Sequence, residues 1–66
     1  MKNAKEILVE MINTFTEYLE EIASAETNEF LYGEKTAFVE CLEIIQEWEY
    51  SKVFGLDFDI EKKYPL

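Results

Sequence analysis

The chain has 66 residues, with 15 Asp and Glu against 6 Lys and Arg, no His, one Cys and a formal net charge of -9, which leaves room for one small domain. Barrels and dinucleotide-binding folds are excluded, because a single βαβ unit takes about 30 residues. The lack of His removes the commonest general base and zinc ligand, and the absence of a Lys/Arg cluster removes the means of neutralising nucleic-acid phosphates.

From Asn3 to about Ala25, Ala4, Ile7, Leu8, Met11, Ile12, Phe15, Tyr18, Leu19 and Ile22 recur at three/four spacing. They fall within an arc of about 140° on a helical wheel. Asn3, followed three residues later by Glu6, is a capping-box-like start. These features predict a first helix over 3–25.

The apolar period lapses between Ser24 and Asn28, where Ser24, Thr27 and Asn28 are cap and turn formers that reverse the chain. A second helical pattern takes in Phe30, Leu31, Ala37, Phe38, Cys41, Leu42, Ile44, Ile45 and Trp48. It is predicted to run from about 28 to 54, with Gly55 as its left-handed stop. Gly33 allows a later start at Glu34. The longer helix is preferred because Gly33, Ala37 and Cys41 form a column of small side chains, against which helix one is expected to pack near Ile22 and Ala23.

After Gly55 the period changes, with Leu56, Phe58 and Ile60 alternating with Asp57, Asp59 and Glu61. The expectation is an extended tail, 55–66, that lies on the hairpin and buries those three side chains. Asp59 capping a single helical turn through Lys63 is the alternative.

The expected fold is therefore all-α: an antiparallel two-helix hairpin carrying an extended tail. A domain of this size buries only about 60% of the surface its unfolded chain exposes. One Cys makes no internal disulfide, and Cys/His metal pairs are missing. The apolar set of helix two, from Gly33 and Ile44 through Phe38 and Leu42 to Val53, spans about 180°, whereas one antiparallel neighbour covers nearer 100°. Tyr32, Val39 and Tyr50 add a thinner stripe on the remaining side. The tail, a second subunit or a heterologous protein partner must cover this surface, and a homodimer closing a four-helix bundle is the preferred cover, through Phe38, Cys41, Leu42, Ile45 and Trp48.

The acidic residues suggest two further roles. Glu6, Glu10, Glu17 and Glu21 on helix one, and Glu40, Glu43 and Glu47 on helix two, form ridges that suit a basic partner, as in an inhibitor that imitates DNA. Glu17-x-x-Glu20 and Glu40-x-x-Glu43 match the paired carboxylates of all-α Mg²⁺-dependent nucleotide hydrolases, but on the wheel they point outward rather than converging. Cys41 has no neighbouring cation to lower its pKa and reads as a small apolar side chain. The expectation is a non-enzymatic protein with no catalytic, cofactor-binding or metal-binding residue. It acts by protein–protein association, without nucleic acid, membrane or small-molecule substrate. The N-terminus carries no apolar signal segment, and no window approaches a membrane span, so a cytoplasmic location is expected.

FLYGEKTAFVECLEIIQEW, from Phe30 to Trp48, and GLDFDIEKKYPL, from Gly55 to Leu66, resemble small uncharacterised proteins encoded by phages and mobile elements of Gram-positive bacteria. The resemblance covers about half the chain and is one of pattern. It implies a compact helical accessory protein in a bacterial or phage cytosol, and it implies no catalytic residues.

Overall fold

The computed structural model describes residues 1–26 and 28–66. Its elements are α1 (Ala4–Ala23), α2 (Glu29–Gln46) and the single turn α3 (Ile60–Lys63), with no strand among the described residues. The two long helices pack on each other, and α3 packs on α2. Each helix starts at a side-chain cap. Asn3 Oδ1 accepts from Glu6 N–H at 2.8 Å, Asn28 Oδ1 from Leu31 N–H at 2.9 Å, and Asp59 Oδ1 from Lys62 N–H at 3.2 Å. Such a cap satisfies one of the donors every helix start leaves free.

The start of α2 settles the question at Gly33, which lies inside the helix. The expected close packing of Gly33, Ala37 and Cys41 against α1 is not formed. Gly33 and Ala37 are exposed, Cys41 is half-buried, and a Cβ added at Gly33 would meet nothing within 4 Å. The expected turn holds at Ser24 and Asn28, and its Thr27 lies outside the described residues.

The predicted end of helix two is corrected from 54 to Gln46. No Gly or Pro intervenes before Gly55, and the stop is made by turn bonds between residues three to five apart. Trp48 N–H turns to Ile45 O at 2.9 Å, Ser51 Oγ donates to Gln46 O at 3.0 Å, and Leu56 N–H donates to Ser51 O at 2.9 Å. Trp48 folds back to stack on Phe54, with centroids 5.6 Å apart and planes 5° from parallel. Such a stack contributes about 0.5–1.5 kcal/mol beyond its burial. Gly55 has φ +117°, which releases the chain from this run of turns rather than from the helix itself.

The tail is not extended throughout: Asp59 caps the turn of α3, the alternative reading of that segment. Its apolar side chains reach the core as expected, with Leu56 and Ile60 buried and Phe58 half-buried. The core consists of Ile12 and Leu19 from α1, Val39, Leu42 and Ile45 from α2, and Leu56, Ile60 and Tyr64 from the tail. Three of these eight side chains come from beyond Gly55, so the tail is a structural third of the domain. Val39, expected on a thin outer stripe, is fully buried beneath it.

Gln46 fixes the tail's path. Its Nε2 donates to Leu56 O at 3.1 Å and to Phe58 O at 2.9 Å, while Lys35 Nζ donates to Pro65 O at 2.6 Å. All three bonds reach one side of the hairpin. Ile12 Cγ2 also lies there, 3.8 Å from where a Cβ at Gly55 would stand.

Candidate interaction surface

The tail covers one flank of the hairpin and leaves the other open. On the wheel, Phe30, Gly33, Ala37, Cys41 and Ile44 occupy an arc of about 80°, roughly opposite Leu42 and away from Gln46. Phe30 is 72% exposed and Ile44 68%, against 0% for Leu42. Glu34 and Glu40 border this stripe on its two sides. The contribution of α1 to the same flank is fixed by Phe38. Its ring stacks on Phe15 at 5.4 Å and leans on Tyr18 at 5.5 Å, which places the outer edge of α1, with half-exposed Ile7 and Tyr18, beside the α2 stripe.

The five residues expected to mediate self-association are dispersed by the fold. Leu42 and Ile45 belong to the core and offer no surface to a second subunit. Phe38 is half-buried against Phe15 and Tyr18, and Trp48 is half-buried against Phe54 and, edge-on at 5.9 Å, Tyr50. Cys41 alone of the five lies on the open flank, as a half-buried free thiol. Phe30 and Ile44 lie within the over-wide apolar pattern of helix two. What that pattern lacks is the side on which the tail lands, and so which of its edges stays uncovered.

Glu40 and Glu47 are exposed and Glu43 half-buried, and the three share a stripe of α2 about 60° wide. Among the described residues the one ion pair joins Lys2 to Glu10, so no Lys neutralises this stripe. Glu17 and Glu20 are exposed on α1. Among the described residues no three Asp, Glu or Cys side chains gather closely enough to hold a metal ion. No described helix is long and apolar enough to cross a membrane.

Neither protein-family models, curated proteins nor solved structures give a match to this chain. Its surface chemistry is therefore the ground for a functional reading. The feature it offers is an exposed apolar stripe on α2, rimmed by acids.

Proposed function

We propose that the protein is a non-enzymatic accessory protein that pairs with a second copy of itself through the open flank, forming a four-helix bundle. The resemblance to phage and mobile-element proteins suggests the setting, a bacterial cytosol. The observation that carries the pairing is the exposure of Phe30 and Ile44 on either side of Ala37. Both lie seven residues from Ala37, and Gly33 and Cys41 both lie four residues from it. An antiparallel crossing of two α2 helices at Ala37 therefore sets Phe30 against Ile44 of the partner subunit, twice, with small side chains between. That is the self-complementarity a two-fold axis requires.

The exposed area supports this reading. A folded monomer of this mass, 7.8 kDa, exposes about 4400 Å² by the usual scaling, whereas the chain exposes 4865 Å². The excess, about 500 Å², approaches the roughly 800 Å² that each partner contributes to a standard interface. The rims carry a cost: the same symmetry sets the two copies of Glu34 along one rim and the two copies of Glu40 along the other, and like charges repel.

Sedimentation equilibrium tests the pairing. The expected result is a monomer–dimer equilibrium that tightens with added salt, as screening relieves the rims. Phe30→Asp should weaken it by about 1000-fold, because the two-fold axis makes the substitution remove two interface anchors worth about 2 kcal/mol each. A monomer at every concentration and salt level would overturn the proposal. The second reading, a basic partner on Glu40, Glu43 and Glu47, draws on their lack of cationic neighbours. It carries the opposite signature, because attraction between opposite charges weakens with salt.

A further inference from the structure

The covered flank holds a second feature, unrelated to pairing. A cavity of about 360 Å³ lies between the end of α1, the first half of α2 and the residues after α3. Ile22 and Leu31 give it an apolar wall, and Lys35 of α2 and Lys63 of α3 are among the residues that line it. Two of the chain's 6 cations thus fall among nine lining residues, and none of its 15 acids does. Neither lysine is ion-paired among the described residues. Lys35 spends one of its three donors on Pro65 O, and Lys63 rests over the Phe58 ring at 4.7 Å.

Cations without carboxylate partners and an apolar wall define a complementary ligand. We propose that this cavity binds a small monocarboxylate with an apolar body, its carboxylate between Lys35 and Lys63 and its alkyl end against Ile22 and Leu31. The volume lies within the range of small-molecule sites, which combine an apolar lining with a few orienting polar groups. Local placement matters here because the molecule as a whole repels anions, with a net charge of -9.

Heteronuclear NMR titration of the full chain with hexanoate, 1-hexanol and acetate tests this. Hexanoate should give saturable shifts at Leu31, Lys35, Lys63 and Tyr64, with a dissociation constant on the order of 1 mM for so small a ligand. Hexanol, which lacks the charge, and acetate, which lacks the tail, should each bind about tenfold more weakly. Lys63→Gln should weaken hexanoate about fivefold while leaving the response to hexanol unchanged, whereas Lys35→Gln, which also frees Pro65 O in the cavity wall, should weaken both ligands and hexanoate the more. Lys52→Gln, outside the cavity, should alter neither. Absence of shifts at the cavity, equal binding of hexanol and hexanoate, or equal weakening by Lys52→Gln would each overturn the proposal. The amide spectrum of every variant reports whether it has kept its fold.

Discussion

Both flanks of the hairpin are built from α1 and α2, yet one is closed by the chain itself and the other is not. On the closed flank Gln46 and Lys35 hold the tail by its carbonyls while Leu56, Ile60 and Tyr64 enter the core. On the open flank the same helices end in Phe30, Ile44, Ile7 and Tyr18, each about half exposed or more. An apolar side chain stabilises this domain only where something covers it, and the chain supplies enough cover for one flank. Substitutions on the two flanks should therefore differ sharply in their cost to the isolated chain.

The largest effect is expected at Leu56. Leu56→Ala removes a fully buried side chain from the layer that closes the domain and should cost about 2–5 kcal/mol. A domain of 66 residues has only about 3–10 kcal/mol of stability in all, so the variant should be largely unfolded by mild urea. A loss below about 1 kcal/mol would show that the tail docks separately from the hairpin and would dissolve the contrast between flanks.

Next is Gln46→Ala, which takes the shared donor from Leu56 O and Phe58 O without emptying the core. Two part-buried carbonyls lose a partner, at a cost of about 1–3 kcal/mol. Amide hydrogen exchange should quicken at residues 56–64 more than in α1 if Gln46 acts by holding the tail.

These two sites also mark how far the sequence is legible. Helix starts are written locally: Asn3, Asn28 and Asp59 each precede a donor that a short polar side chain satisfies, so the starts at Asn3 and Asn28 read correctly, while the turn at Asp59 reads only as the alternative to an extended tail. The end of α2 is not local. Ser51, Trp48 and Gln46 become a stop only when Trp48 finds Phe54 and the tail finds Gln46, and helical periodicity continues past them as though no stop existed. The same dependence rotates the buried face of α1. Ile12 and Leu19, at one edge of its apolar arc, are buried because the tail side closes over them, while Ile7 and Tyr18 at the other edge remain half exposed. A wheel gives the width of an apolar face, but the position of its covered centre depends on contacts distant in sequence. The proposed interface shifted for that reason, from Leu42 and Ile45 to Phe30 and Ile44.

A gain rather than a loss is expected at Gly33. It sits in the interior of α2 on the open flank, and an added methyl would meet nothing within 4 Å. Gly33→Ala should stabilise the isolated chain by about 1 kcal/mol, because glycine loses more backbone freedom on folding than alanine. It should raise the melting temperature by several degrees. No gain would mean that the backbone at Gly33 departs from helical geometry.

The smallest effect, and the most diagnostic of the open flank, is expected at Ile44. Ile44→Ser exchanges an exposed apolar side chain for a polar one, so at high dilution the unfolding free energy should change by no more than about 0.5 kcal/mol. The contrast with Leu56→Ala then reflects cover rather than residue type. Dilution is essential, because the proposed pairing through this flank would add stability by mass action in the native protein and less of it in the variant. Melting temperatures of the two should coincide when the chain is dilute and diverge as its concentration rises, with the variant falling behind. A gap that stays constant over the whole concentration range would place Ile44 within the fold of the single chain. A gap that widens would place it in the contact between two.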